Sequence, residues 1–370
     1  MRDITNIPTA AGREQRVIKY VSNWIRSHRG VELSKDKHGN LILKIKRSKS
    51  IRGRNPIIIA AHMDHPAFVV SKVHSSREIT AEFRGGVKPA YFENAKAVFF
   101  SSENEQVNAQ ATAIQKPRKN RSLFYKLRFR LSRNFELQPG DIGRWRMPAQ
   151  RISRGLLYTP ACDNLASVAA ALSMLDVLST APYKNQIADI RVLLTRSEEI
   201  GFIGAIGACR SRSIPKTSRV IVLETSRSFP ESPIGVGPIV RIGDRMSTFD
   251  PVLTAAVTAV AQGLNKFKAF SYQRKLMAGG ACEATAYQAY GYTATCICLP
   301  LGNYHNQANL AEVEKGINKT PAKANLEYIS LNDFHNYILL MASLAEKLDT
   351  VPDVKKRMDE LFAEREYILQ

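Results

Sequence analysis

Two histidines and several carboxylates share one placement in this chain, because each follows a short apolar run. The residues are His62 and Asp64 after the run 57–61, the pair Glu198-Glu199 three residues after 190–194, Glu224 directly after 220–223, and His305 a short loop after 293–299. Imidazole and carboxylate together suit zinc, cobalt or manganese, whereas calcium prefers oxygen ligands alone. If the four runs end at one place, the sequence predicts a metal site there.

The runs must be strands for this convergence to occur. Residues 57–61, Ile-Ile-Ile-Ala-Ala, are too short a run to predict a helix and fit a strand that is buried on both faces. In open α/β sheets, ligands bind outside the carboxyl ends of parallel strands. If the four strands are parallel neighbours, their following residues meet at one edge of the sheet. Asp163 joins them from the start of a predicted helix over 164–178, where an N-cap residue belongs.

Each residue also has an explanation that involves no chemistry. A histidine after a strand is more often hydrogen-bonded or exposed, and Glu198-Glu199 fits a solvated acidic pair. Asp163 is explained by helix capping alone, and Glu224 by an exposed strand end. The set is more informative than its members, since five independent segments show the same placement.

The chain divides into an α/β part and a β-rich part. Between residues 67 and 156 the short β-type runs 68–70, 79–83, 98–100 and 125–131 occur with no long helix between them, which predicts an inserted small β-barrel. Residues 1–66 and 157–370 then form the catalytic domain. The predicted fold class is α/β, with a mixed β-sheet sandwiched by helices. A turn is predicted over 52–56, and helices are predicted over 14–24, 164–178, 201–207, 249–264, 284–290, 331–348 and 354–367.

Composition excludes several classes. No stretch approaches ~18 consecutive apolar residues, so no membrane span is expected. The start lacks the apolar segment of a secretory signal, and the five cysteines form no CxxC pair, which together predict reduced thiols in a cytoplasmic protein. The cysteines are Cys162, Cys209, Cys282, Cys296 and Cys298. The glycines at 201, 204 and 207 fit neither GxGxxG nor a P-loop, and the GxSxG pattern is absent.

The formal charge of +20 favours anionic partners, and half of the excess falls in the predicted barrel. The twelve basic residues of this basic segment are Lys116, Arg118, Lys119, Arg121, Lys126, Arg128, Arg130, Arg133, Arg144, Arg146, Arg151 and Arg154, against Glu136 and Asp141. They suit acidic peptides or nucleic acid, but a solvated face is the more common explanation. Nucleic acid is further disfavoured because the alternation over 125–131 turns Tyr125 and Phe129 away from the basic side.

Several motifs resemble those of the M42 metallopeptidases (glutamyl and deblocking aminopeptidases of the TET type), within the wider M28-like fold. These motifs are Asp36-Lys-His-Gly-Asn40, Ala61-His-Met-Asp64, Phe83-Arg-Gly-Gly-Val-Lys-Pro89, Pro139-Gly-Asp141, Cys162-Asp-Asn-Leu-Ala-Ser-Val-Ala-Ala-Ala171 and Thr195-Arg-Ser-Glu-Glu-Ile-Gly-Phe-Ile-Gly-Ala205. Together they extend over most of the chain, and the resemblance rests on the combination rather than on any single motif.

The resemblance implies an aminopeptidase with two divalent metal ions per chain, zinc in the first place and cobalt or manganese as alternatives. Asp163 would bridge the ions. His62 and Glu224 would complete one site, and Glu199 and His305 the other. Glu198 would be the general base that activates a metal-bridging water, and Asp64 would orient His62. The resemblance also implies peptide substrates, for which the basic charge favours acidic ones, and it implies assembly into a homo-oligomer.

Three departures from the family pattern bear on specificity. Glu224 stands where the family commonly has Asp, and His65-Pro66 replaces an acidic residue and its neighbour. Gly279-Gly-Ala-Cys-Glu-Ala284 stands where many relatives have G-G-T-D-A, which leaves open whether Cys282 or Glu283 lines the substrate pocket.

Two other functions fit the same residues. The first is an N-acyl amino-acid or peptide deacylase, which would use the same metal ligands on another substrate. The second is a basic binding protein on an inactivated peptidase fold, and the presence of Glu198 argues against it, since a chain without catalysis has no need of a free base.

Overall fold

A computed structural model describes residues 1–46, 55–117, 123–180, 188–266, 269–351 and 354–369. Three residues of the predicted turn, 52–54, lie outside this part of the chain, and so do Arg118, Lys119 and Arg121 of the basic segment. None of the described helices is long and apolar enough to cross a membrane.

The strands and helices alternate as the sequence pattern predicts, with more strands than the pattern revealed. The strands are β1 (Val31–Lys35), β2 (Leu41–Ile45), β3 (Ile57–His62), β4 (Ala67–Ser75), β5 (Glu78–Arg84), β6 (Lys96–Phe100), β7 (Gln106–Gln115), β8 (Tyr125–Leu131), β9 (Ile142–Trp145), β10 (Arg151–Ser153), β11 (Leu156–Thr159), β12 (Ile190–Thr195), β13 (Arg219–Arg227), β14 (Ile239–Gly243), β15 (Gln273–Leu276), β16 (Thr293–Leu301) and β17 (Glu327–Ser330). The α-helices are α1 (Gln15–Ser27), α2 (Leu165–Thr180), α3 (Ile203–Arg210), α4 (Pro251–Leu264), α5 (Glu283–Ala289), α6 (Leu310–Lys315), α7 (Leu331–Lys347) and α8 (Val354–Arg365).

The central sheet has eight strands in the order β1-β2-β12-β3-β13-β16-β14-β15. Its middle strands β12, β3, β13 and β16 are parallel neighbours, which confirms the predicted arrangement of the four runs. The antiparallel strands β2 and β14 flank them, so the sheet is mixed. In this register Thr195 lies beside His62, and Glu224 lies beside Cys298, so the residues of interest share one edge.

The sheet is covered by helices on both faces. Alternate residues of β3 face opposite ways: Ile57 and Ile59 pack with α2, α4 and α7, while Ile58 and Ala60 pack with α3 and α5. Every residue of β3 is buried, because a continuous apolar run is satisfied only between two such layers.

Six strands form a closed antiparallel barrel in the order β4-β5-β8-β7-β6-β9. Aromatic rings fill its interior: the Phe68 ring centroid lies 4.9 Å from that of Phe83, 5.1 Å from that of Phe129 and 4.9 Å from that of Trp145. The alternation predicted for β8 is confirmed, since Phe129 is buried and Arg128 is exposed. The fold class is therefore an α/β fold with a mixed sheet between helices and a small barrel, as predicted.

The basic residues of the barrel region are partly satisfied within the chain. Lys126 lies 3.5 Å from Glu82, and Arg128 lies 3.7 Å from Glu78. Three further guanidinium groups lie over aromatic rings, those of Arg133 over Phe135, Arg144 over Phe100 and Arg151 over Tyr158. These contacts favour the solvated-face explanation of the basic segment over a nucleic-acid surface.

Candidate metal centre

The predicted residues meet at the carboxyl ends of the four parallel strands. His62 ends β3, and its Nε2 lies 3.4 Å from Asp163 Oδ1, 3.7 Å from Glu224 Oε2 and 3.8 Å from Glu198 Oε2. On the other side of Asp163, Oδ2 lies 3.4 Å from His305 Nε2.

His305 Nε2 also lies 3.4 Å from Glu199 Oε2. Asp163 thus stands between two groups of side chains, with one oxygen turned toward the histidine of each group. The structure brings together Glu198 and the five predicted metal ligands. The sequence also allowed Asp163 to act only as a helix N-cap. In the structure its two carboxylate oxygens face His62 and His305 instead.

The donor atoms fit divalent metal ions. Within the described residues, Asp163 Oδ1, Glu199 Oε1 and Glu224 Oε1 are buried without a hydrogen-bond partner. Burying a carboxylate is costly unless its oxygens are paired or coordinate a metal. Two groups of three residues each offer one ligand atom per residue, and within each group these atoms lie within 4.8 Å of one another. The groups are His62, Glu198 and Glu224, and His62, Asp163 and Glu199. This mixture of nitrogen and oxygen donors suits zinc, cobalt or manganese.

The electrostatics of the centre also favour cations. Burial raises the pKa of Glu198, Glu199 and Glu224, and neighbouring carboxylates raise each of them further. Burial opposes a charge on His62, yet the surrounding carboxylates hold its pKa well above the usual range. The centre therefore has an excess of acidic groups, which positive charge between them would stabilise.

Asp64 fixes more than the single histidine that was expected. His62 Nδ1 lies 3.5 Å from Asp64 Oδ1 and 3.2 Å from the Asp64 carbonyl oxygen, which leaves Nε2 to face the centre. The Asp64 carboxylate also accepts hydrogen bonds from the backbone N–H groups of Glu198, at 3.0 Å, and Glu199, at 3.1 Å. One buried carboxylate thus holds the backbone that carries two of the site residues.

His305 is held in a conformation that is unusual for its residue type. Its φ of 55° lies in the left-handed region, which costs energy for a residue other than glycine. Its Nδ1 lies 2.6 Å from the carbonyl oxygen of Gly86, in the loop after β5, so Nε2 faces the centre. Its backbone N–H donates to Glu327 Oε1 at 2.8 Å. The loop after barrel strand β5 thereby orients a residue of the turn that follows β16.

Glu327 is a residue of the site that sequence reasoning missed. Its Oε2 accepts hydrogen bonds from the backbone N–H groups of Cys162, at 2.6 Å, and Asp163, at 3.0 Å, and its Oε1 accepts the one from His305. Glu327 is fully buried in β17, opposite Thr159 of β11. No motif marks it, and only the pairing of these distant strands brings it beside the loop of Asp163.

The residues that depart from the family pattern lie in different parts of the centre. His65 Nδ1 contacts the carbonyl oxygen of Asp163, and its Nε2 lies 3.0 Å from Asn306 Oδ1, so this ring links two loops of the centre. Cys282 and Glu283 are buried behind the cavity wall rather than exposed on it. Burial raises the pKa of the Glu283 carboxyl to about 8.

The centre opens into a cavity of about 710 Å³, which is large enough for a peptide end. Its wall carries four basic residues, Lys88, Arg227, Arg241 and Arg245, and also residues 279–281. Glu314 lies 2.8 Å from Arg227 and 3.8 Å from Lys88, so its single negative charge offsets one of these two positive charges.

Arg241 differs from the others because it is only 3% exposed. Its Nη1 donates to Ser226 at 3.2 Å, and its Nε has no hydrogen-bond partner in the described part of the chain. Neither Arg241 nor Arg245 forms an ion pair with any described residue. Both bring positive charge to the cavity wall, and the charge of Arg241 also acts on the nearby carboxylate of Glu224.

Comparisons with known proteins agree with this fold. The family model for M42 glutamyl aminopeptidases matches residues 39–320. The TET1 peptidase of Pyrococcus horikoshii superposes with a TM-score of 0.72 at 16% identity, over 93% of this chain and 98% of that one. An aminopeptidase of the archaeon Desulfurococcus kamchatkensis gives 0.71 at 19% identity, over 95% and 96%. A TET aminopeptidase of a marine-sediment thaumarchaeon gives 0.72 at 18% identity, over 96% of each chain. No curated protein sequence matches the chain.

These similarities define a peptide-hydrolysing enzyme. Within that class, the chain belongs to the M42 glutamyl aminopeptidase family, whose model covers most of its length.

Proposed function

We propose that this chain is a dinuclear-metal-dependent aminopeptidase that removes N-terminal residues from peptides. The main support for this proposal is the position of Asp163 between two histidines. Its Oδ1 lies 3.4 Å from His62 Nε2, and its Oδ2 lies 3.4 Å from His305 Nε2. Asp163 would hold both ions, with His62 and Glu224 completing one site and Glu199 and His305 the other. The buried, unpartnered oxygens of three of these carboxylates support the assignment.

Glu198 is the general base of this proposal. When bound, two divalent ions lower the pKa of a shared water and polarise the scissile carbonyl group. Glu198 belongs to neither pair of completing ligands, and its Oε2 lies 3.8 Å from His62 Nε2, at the edge of the centre. Its carboxylate takes a proton from the attacking water and delivers a proton to the departing amine. Asp64 holds the Glu198 backbone, so the base keeps one position during both transfers.

The inserted barrel completes the cavity. We assign residues 1–66 and 157–370 to the catalytic domain, and residues 67–156 to the barrel, which serves substrate binding and assembly. The loop after β5 supports this assignment, since Gly86 contacts His305 and Lys88 lines the cavity.

We also propose a homo-oligomer, because the Pyrococcus horikoshii TET1 peptidase assembles into a tetrahedron or a large octahedral shell. The five free thiols fit a reducing compartment such as the cytoplasm.

Metal dependence and substrate class can be tested together. We expect the purified protein to hold about two divalent ions per chain, to hydrolyse aminoacyl-p-nitroanilides with a free amine, and to lose activity when a chelator removes the ions. N-acylated forms of the same substrates serve as the matched controls. Hydrolysis of the N-acylated forms alone would establish a deacylase instead. A metal-loaded protein that is inactive on a broad panel of both would contradict a hydrolase.

The cavity predicts a preference for an acidic N-terminal residue. Arg241 and Arg245 line the cavity and form no ion pair with the residues that the structure describes, so a substrate carboxylate would be bound there. We expect Arg241→Met to lower kcat/KM roughly tenfold for a glutamyl substrate, since a hydrogen bond to a charged group contributes about 1.5 kcal/mol or more. A leucyl substrate should change little. The measurement is kcat/KM of both substrates for the variant and the parent.

Arg227→Met is the matched control for this test, because Glu314 already balances the charge of Arg227. It should change the ratio of the two substrates less than Arg241→Met does. An equal loss on glutamyl and leucyl substrates would show that Arg241 supports the nearby Glu224 rather than the substrate.

A further inference from the structure

The helix α8 carries apolar side chains that the rest of the described chain does not cover. No residue of α8 is buried, nor is any residue of the 3₁₀ turn Glu366–Leu369 that follows it. Val354 is 52% exposed, Met358 51% and Phe362 58%. A contiguous exposed apolar stripe of this kind indicates an interaction surface. The surface lies far from the catalytic residues in sequence and outside the matched range of the family model, residues 39–320.

The stripe has the spacing of a helix-pairing seam. Val354, Met358, Leu361 and Arg365 follow one another at intervals of four, three and four residues, which places them on one side of an α-helix. This is the alternation of the two core positions in a coiled coil, with Arg365 as the one polar member. Phe362 lies beside the seam.

The charges of α8 divide along its length. Basic residues occupy 355–357, and acidic residues follow at 359, 360 and 364. Lys355 flanks the seam on the same side as Phe362 and pairs with Asp359 at 2.6 Å, while on the outer side Lys356 pairs with Glu360 at 3.9 Å. Arg357 and Glu364 are seven residues apart, so they flank the seam on the same side at equivalent positions of successive heptads. Neither forms an ion pair with a residue that the structure describes.

A second copy of the same helix, running antiparallel, satisfies both features at once. Met358 of one copy then lies opposite Leu361 of the other, and Val354 lies opposite Arg365. In this register, the flanking Arg357 meets the partner copy's acidic residue at the position of Glu364, and the twofold axis repeats the contact. The apolar stripe becomes covered, and the unpaired charges become complementary.

We propose that α8 is a contact surface between two copies of this chain, packed antiparallel about a twofold axis. The helix has 12 residues, a length of about 18 Å, so its pair is smaller than a standard stable interface. It therefore strengthens association rather than supplying all of it. This inference names a surface for the proposed assembly and is independent of the proposed catalysis, because its tests read contact between copies and not hydrolysis.

A charge-swap series tests the register. Arg357→Glu and Glu364→Arg each replace two attractive pairs with two repulsive ones, so each should weaken self-association roughly five- to tenfold. The double variant exchanges the charges and should restore it. Lys356→Glu is the control on the outer side of the helix and should have a smaller effect. Sedimentation velocity over a range of protein concentrations measures all four. A double variant as weak as the single ones would overturn the antiparallel pair.

Site-directed cross-linking tests the face. With a short bismaleimide reagent, Leu361→Cys should cross-link two copies, since Leu361 lies near the proposed twofold axis, and Glu360→Cys on the outer side should not. Mass spectrometry of the cross-linked peptides identifies the residues joined, so the five buried native cysteines do not confuse the result. Equal cross-linking of both variants, or none at Leu361→Cys in the self-associated protein, would overturn the proposed pairing through this face of α8.

Discussion

Replacing Glu198 with glutamine should lower kcat by about 10²–10⁴-fold and leave the metal content unchanged. Glutamine has nearly the same volume and keeps the backbone N–H that donates to Asp64 at 3.0 Å. It cannot accept a proton, so the attacking water loses its base. Because Glu198 completes neither proposed metal site, the bound ions should remain. Steady-state kinetics on an aminoacyl-p-nitroanilide and elemental analysis of the purified variant measure the two quantities.

Glu199→Gln is the matched control, since it makes the same change one residue further along. Glu199 Oε2 lies 3.4 Å from His305 Nε2, its partner in the second proposed metal site, so this variant should lose metal as well as activity. The contrast between the neighbouring variants is the informative result. If Glu198→Gln lost metal to the same extent as Glu199→Gln, Glu198 would be a ligand and the general base would have to be another residue. A Glu198→Gln variant with nearly full activity would contradict the proposed mechanism.

The sequence was most informative where local pattern and burial depend on each other. The run 57–61 could be predicted as a central strand because a continuous apolar segment is stable only in a sheet covered on both faces. The same reasoning located the other parallel strands, and with them His62, Glu224 and His305. Alternation identified β8 as a barrel strand, since period-two patterning reports which face is buried.

The sequence was least informative where a residue acts through the backbone of distant residues. Glu327 accepts a hydrogen bond from Cys162, 165 positions away in the chain, and its own strand β17 was not predicted. The Gly86 carbonyl that orients His305 belongs to a loop 219 positions earlier. A side chain that binds backbone N–H groups makes no demand on the residue types it contacts. Such contacts therefore leave no motif, and only the folded structure shows them.

Glu327 carries the second large prediction, because it joins the two halves of the centre. Its carboxylate accepts three backbone hydrogen bonds, from Cys162, Asp163 and His305. It thus fixes the backbone of Asp163, the proposed bridging residue, and holds His305 in its left-handed conformation at a φ of 55°. Glu327→Ala should lower metal affinity by about 10–100-fold, as the loss of a residue that positions metal ligands does. Isothermal titration calorimetry of the chelator-treated protein with zinc measures this affinity.

Glu327→Gln separates hydrogen bonding from volume. The amide keeps the size of the side chain and one accepting oxygen, but its NH₂ group is a donor and cannot accept from backbone N–H groups. Glutamine can therefore serve either the N–H groups of Cys162 and Asp163 or that of His305, but not both, and we expect its metal affinity to lie between those of the parent and the alanine variant. Glu346→Gln, at an exposed position in α7, is the matched surface control and should match the parent protein.

A purely structural role for Glu327 predicts a different pattern. Both Glu327 variants would then have a lower melting temperature, but their folded fraction would bind zinc as tightly as the parent and hydrolyse substrate with the same kcat. A positioning role predicts weaker zinc binding by the folded protein and a lower kcat, with the ratio of glutamyl to leucyl hydrolysis unchanged, because Arg241 and the rest of the cavity wall remain in place. Measuring zinc affinity below the melting temperature of each variant separates the two, since only the positioning role weakens binding by protein that is still folded.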